Sequence, residues 1–200
     1  MPFFKQAEIR NLEEKYGHNN SFGVITLEKI YKDDIVFVCD KDKCPYYPWD
    51  FDQNSYTEEE LQKLFQQYPN SRDYICGHSC TVGDKKYKIP NNFNSKTVLE
   101  ACALFNHSCT PNLGFGDDLL TTHVALRDIE EGEELTIHYG CFEDEHSFYN
   151  DINCKCGFSN CSKILYFDFY KNLEFQDQYY KYCSEYIKSK IRKLRPDIES

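Results

Sequence analysis

Apolar and polar residues alternate over short stretches through the first half of the chain, and the pattern changes period in defined places. Residues 21–27 and 35–39 read as strands joined by the acidic turn Lys32-Asp33-Asp34. Thr57-x-x-Glu60 is a capping box, in which hydroxyl and carboxylate satisfy the unpaired amides of a helix start. Leu61, Leu64, Phe65 and Tyr68 follow at helical spacing, and Pro69 ends the run. Residues 74–82 and 85–89 predict a hairpin around Gly83-Asp84, and 96–104 a second short helix capped by Ser95 or Asn94. Residues 121–126 and 134–139 are strands bridged by a turn at Glu131-Gly132. Many short strands with brief connections imply a mainly β core. Beyond Cys161, the positions Tyr180, Cys183, Ile187, Ile191 and Leu194 predict one amphipathic helix over 176–194, with a basic end suited to a helix C-terminus.

Composition narrows the class. Two hundred residues fit one domain of ordinary size, and 15 Phe with 16 Tyr are enough for a real core. No apolar run reaches the roughly 18 residues of a membrane span, and the first residues lack a stretch of signal-peptide length. Eleven cysteines without a secretion signal point to a reducing intracellular compartment, cytoplasm or nucleus, where thiols are structural, metal-bound or catalytic. The net charge of −10 argues against direct nucleic-acid binding and favours basic partners, although a merely well-solvated acidic protein has the same charge.

Three segments carry chemistry. Cys154, Cys156 and Cys161 form C-x-C-x4-C, a soft cluster suited to tetrahedral zinc. A fourth ligand must come from elsewhere, and Cys109, Cys141 and Cys183 are all open on spacing alone. Upstream, FNHSCTPNLGF (105–115) contains Asn106-His107-Ser108-Cys109 before a turn sequence, and EELTIHYG (133–140) ends a strand at Tyr139. Alone, an Asn beside a His is more often a local hydrogen-bonding pair than a site. Cys76, His78 and Cys80 alternate and on a strand would share one face, with Cys39 and Cys44 as possible partners. There the ordinary reading, small residues in core and turn, outweighs a second metal.

In their order and separations these segments resemble the catalytic core and zinc-binding post-SET tail of SET-domain protein-lysine methyltransferases, from Ser21 to Cys161 and best from Asn106 onward. The resemblance implies a β-clip SET fold with a pseudoknot, mainly β with α. The SET domain is then expected at 1–140 with a small helical insert near 50–70 and the zinc-binding segment at 141–165, while the helical periodicity beyond Cys161 adds a C-terminal helical extension at 166–200. It further implies that Phe22, Gly23, Asn106, His107 and Tyr139 line an S-adenosylmethionine pocket. Tyr139 is then the active-site tyrosine, and Cys109 completes the zinc site with Cys154, Cys156 and Cys161. The implied reaction methylates a lysine of a basic protein or peptide, a histone among the candidates, with neither nucleic acid nor membrane as partner. Departures from the family pattern are Ser21 for its first glycine, Ala103 for a basic residue, His138 for an acid before the tyrosine, and Ile137 where many relatives carry an aromatic. Two other readings share these motifs: an inactive SET module that binds basic peptides, and a zinc-stabilised interaction protein.

Overall fold

The computed structural model describes residues 5–17, 21–51, 54–94, 103–117, 119–148 and 151–199. In chain order the elements are β1 (Ala7–Asn11), α1 (Glu13–Tyr16), β2 (Phe22–Thr26), β3 (Ile35–Val38), β4 (Tyr56–Thr57), α2 (Glu58–Gln67), α3 (Arg72–His78), β5 (Cys80–Gly83) and β6 (Lys86–Lys88). There follow β7 (Asn106–His107), β8 (Leu113–Phe115), β9 (Thr122–Ala125), β10 (Glu134–Ile137), β11 (Ile152–Asn153), β12 (Ile164–Leu165), α4 (Leu173–Tyr179) and α5 (Glu185–Leu194). The fold is sheet-rich with several helices, the expected mainly β class with α. Among the described residues no helix is long and apolar enough to cross a membrane.

One mixed sheet, in the order β1-β2-β10-β7, organises the centre. β2 is antiparallel to both β1 and β10, whereas β7 lies parallel to β10. A second sheet, β3-β9-β8, packs on it, and their buried residues form one cluster that includes Val24, Leu135, Ile137, Leu113, Phe115 and Ala125. The same cluster contains Phe175, Tyr179, Ile187 and Ile191 from α4 and α5. Each such side chain contributes roughly 1.5–3 kcal/mol by leaving water, so the C-terminal helices are structural members of the main core. The insert has a smaller core of its own: Leu61, Phe65, Ile75, Tyr87 and Ile89, beneath the sheet β4-β6-β5. Thr81 and Tyr87 tie it to the body by donating to the carbonyls of Phe142 (2.8 Å) and His146 (3.0 Å).

The capping box is present, with Thr57 and Glu60 bonded reciprocally at the start of α2. Two expectations need correction. The predicted strand 74–82 is helical up to His78, and only its end is a strand. A short turn begun by Pro69 leads into α3, where Tyr74 and His78 become i,i+4 neighbours. Their rings stack at 4.6 Å, and His78 Nδ1 lies 2.8 Å from the Tyr74 carbonyl oxygen. A spacing of two therefore put Cys76 and His78 on different helix faces, and the shared face with Cys80 does not form. The predicted helix 176–194 is also two helices. Tyr180–Tyr182 tighten into a 3-10 turn, Cys183 and Ser184 are extended, and Ser184 caps α5 by accepting from Ile187 N. Ser184 N donates to Cys141 O, which pins the break to the core. The helix expected at 96–104 falls, but for its last two residues, outside the described residues.

Candidate active site

The two-residue parallel pairing of β7 with β10 aligns Asn106 with Thr136 and His107 with Ile137. Tyr139, two residues beyond Ile137, is thereby held beside His107. Parallel strands need a long connection, here the whole segment from Ser108 to Glu133. Asn112 secures that connection: its amide donates to Glu134 O (2.9 Å) and accepts from Thr136 N (2.8 Å).

Asn106 reaches toward β2, where its amide nitrogen donates to Phe22 O (2.8 Å) and to Glu134 Oε1 (2.8 Å). Glu134 also accepts from the Tyr16 hydroxyl (2.9 Å) and pairs with Lys15. A side chain at Gly23 would force its neighbours to move. A Cβ there would come within 2.4 Å of Leu12 Cδ1, 2.6 Å of Glu134 Oε1 and 2.9 Å of Asn106 Nδ2.

His107 Nδ1 accepts from the backbone N–H of Tyr139 at 3.2 Å. Because an amide can only donate, the ring proton belongs on Nε2, which faces Cys109 Sγ at 3.3 Å. One imidazole thus joins the backbone of Tyr139 to a cysteine. That cysteine belongs to the cluster Cys109, Cys154, Cys156 and Cys161, whose sulfurs lie within 4.8 Å of one another. Four thiolates around a tetrahedral zinc at about 2.3 Å stand roughly 3.8 Å apart, and the Cys109–Cys154 separation is 3.9 Å. Hydrogen bonding from Cys154, then from His107 and Ser162, holds the Cys109 thiol far below its ordinary range and pushes Cys154 up. This donor set fits zinc. Among the described residues no other group of close metal-ligating side chains occurs, and Cys76, His78 and Cys80 do not form one.

The other flank of Tyr139 is an apolar cavity of about 100 Å³ walled by Phe105, Phe115, Phe142, Ile137 and His123. The Tyr139 hydroxyl donates to Phe105 O at 3.3 Å. Burial, then the charges of Glu143 and Glu134, raise its pKa above the ordinary tyrosine value, so the hydroxyl stays protonated. His138, in the place of the family's acid, is buried against the rings of Phe169, Phe175 and Tyr179. Burial drives its pKa well below the usual value. A carboxylate among those rings would be an unpaired buried charge, so the C-terminal elements and the neutral histidine suit one another.

The structure therefore gathers Phe22, Gly23, Asn106, His107 and Tyr139 in one neighbourhood and the four cysteines in a second that touches it. Sequence reasoning missed Glu134, Tyr16, Asn112 and His123. Glu134 looked like part of a solvated acidic run, yet its side chain is only 8% exposed. His123 did leave a signal: on an alternating strand it occupies the same inward parity as Ala125.

A family model described as "SET domain" matches residues 21–140. A histone-lysine N-methyltransferase of Neurospora crassa, described as H3 lysine-4 specific, is 27% identical over 177 residues, covering 81% of this chain and 11% of that protein. A protein of the same description from Emericella nidulans is 33% identical over 116 residues, 52% of this chain and 9% of the relative. The histone-lysine N-methyltransferase trithorax of Drosophila virilis is 38% identical over 92 residues, 42% of this chain and 2% of that protein. The chain spans no more than 11% of the length of these three relatives. The family match runs from β2 through Tyr139, more than half of the chain, and the chain belongs to the SET domain family.

Proposed function

We propose that the protein is a protein-lysine N-methyltransferase that uses S-adenosylmethionine and acts on a lysine of a basic protein, histone H3 being the first candidate. One observation carries the reading: the β7–β10 register joins the Asn106–His107 pair to Tyr139, and Tyr139 opens onto an apolar cavity. Phe22, Gly23, Asn106 and His107 would hold the methyl donor. When bound, S-adenosylmethionine supplies a methyl group on a sulfonium. The protein's own contribution is orientation, since an in-line displacement needs the reacting atoms about 3 Å apart and collinear. The Tyr139 hydroxyl, kept protonated and tethered to Phe105 O, is a fixed neutral dipole for the incoming amine and no base. A free lysine, with a pKa near 10.4, arrives protonated; the apolar walls favour its neutral form by desolvation.

Cys109, Cys154, Cys156 and Cys161 would hold zinc, which supplies a structural cross-link from the tail to the His107 loop. The acidic surface suits a basic substrate, and a histone substrate would place the protein in the nucleus. Incubation with labelled S-adenosylmethionine and a panel of basic proteins, histone H3 included, tests the reading by mass spectrometry. A lysine mass gain of one or more methyl groups is expected. Cofactor binding with no modified protein would favour the inactive peptide-binding module. Elemental analysis should give one zinc per chain, and none in freshly purified active protein would remove the zinc assignment.

A further inference from the structure

His123 is 2% exposed and packs against Phe37, Phe105 and Phe115 at ring distances of 5.5, 4.8 and 4.9 Å. Its Nδ1 is buried without a hydrogen-bond partner. An aliphatic side chain would fill an inward strand position without that penalty, so the orphaned nitrogen calls for an explanation. The ring also lines the cavity that Tyr139 lines. Phe105 links the two, its ring against the imidazole and its carbonyl accepting from the Tyr139 hydroxyl. Burial pushes the His123 pKa down to about 4, against a weaker opposing effect of Asp117, so the ring is neutral at working pH. The other titratable groups along the cavity are Cys39, Cys44, Tyr46, His78 and Cys80, none of which carries a carboxylate.

We propose that His123 is a substrate-contacting, specificity-determining residue, whose imidazole accepts a hydrogen bond from the ε-amine of the target lysine inside the cavity. This rests on the methyltransferase reading. A neutral imidazole offers one acceptor nitrogen. An unmethylated or monomethylated amine has an N–H to give it, whereas a neutral dimethylated amine has none. The acceptor therefore favours early methylation states and holds the amine against rotation.

The test compares wild type, His123→Leu and His123→Asn in the full chain, on one basic peptide bearing unmethylated, monomethylated or dimethylated lysine. His123→Leu should lower kcat/KM for unmethylated lysine about tenfold, the scale of one lost hydrogen bond. It should leave the dimethylated substrate unaffected and shift products toward higher methylation, while His123→Asn, which keeps an acceptor, should restore the wild-type order. Equal kinetics and product ratios in a folded His123→Leu protein would overturn the proposal. Should that variant not fold, His123→Asn and nitrogen-15 spectra of wild type decide: n-butylamine, a lysine side-chain mimic, must shift the His123 imidazole signal. An unmoved signal overturns the proposal. If wild type methylates nothing and yet that signal moves, the amine contact stands and the methyl-transfer reading falls.

Discussion

The two flanks of Tyr139 are built on opposite principles. Toward β2, polar groups are tied to one another: Asn106 donates to Phe22 O and Glu134, Glu134 also takes Tyr16 and Lys15, and Asn112 spans Glu134 O and Thr136 N. Toward the cavity, aromatic rings dominate, and the buried polar atom His123 Nδ1 has no partner. A satisfied network fixes position, because each member holds its neighbours in one geometry. An apolar wall fixes nothing but strips water, which moves pKa values. The proposed displacement at a methyl group needs both, and the fold keeps the two tasks on separate sides of one side chain.

The largest expected effect comes from removing the hydroxyl that stands between them. Tyr139→Phe should keep zinc, fold and cofactor affinity, and slow methylation by roughly ten- to a thousandfold. Initial rates together with calorimetric cofactor titration check this; an undiminished rate on the same substrate would remove Tyr139 from catalysis. Next is a buried acid one residue past Phe142 of the apolar wall. Burial raises the Glu143 carboxyl from 4.5 to about 8, so between those values the folded protein keeps a proton that the unfolded chain loses. Stability therefore falls as pH rises from 4.5 to 8 and levels off above. Glu143→Gln should abolish that fall, gaining on the order of 5 kcal/mol at pH 8.5 and nothing at pH 4. Denaturant midpoints at the two pH values report it, and a pH-independent difference would show that Glu143 is not held neutral.

The polar flank should respond in binding instead of stability. Asn106→Ala is expected to weaken S-adenosylmethionine binding by roughly 1–3 kcal/mol, with little change in melting. A normal melt with unchanged affinity would separate the β7 loop from the cofactor. The smallest effect belongs to a helix cap whose side chain takes part in neither flank. Ser184→Ala deletes the cap on α5, for about 1 kcal/mol of stability. Rates per folded molecule should stay at the wild-type level; a large fall would mean that α5 reaches the chemistry through the core it shares with β10.

The cysteine spacing and the Asn106 and Tyr139 motifs were readable because they are local strings with unusual composition. Their meeting was readable only through the family resemblance, since no periodicity reports that β7 pairs in parallel with a strand almost thirty residues later. Tyr74, Cys76, His78 and Cys80 misled because alternate spacing fits a strand, while the helix-making pair Tyr74–His78 is concealed within it. The spacing of Tyr180, Cys183 and Ile187 survived a break in the helix, because a tight turn and an extended cap still present those side chains to one core. Glu134 was hidden by its acidic neighbours, and nothing in sequence separates a carboxylate facing water from one that collects three donors.

The sharing of one core between β2, β10 and the last two helices also dictates a timetable. Phe175, Tyr179, Ile187 and Ile191 close the cluster around Val24 and Leu135, and a ribosome releases Ile191 some fifty residues after Tyr139. At about 5–20 residues per second, that leaves roughly 2–10 s in which the nascent chain exposes an open apolar face. Chaperones are expected to occupy that face during the interval. A message cut short just past Tyr139 would encode all of the polar flank and is expected to yield no folded protein.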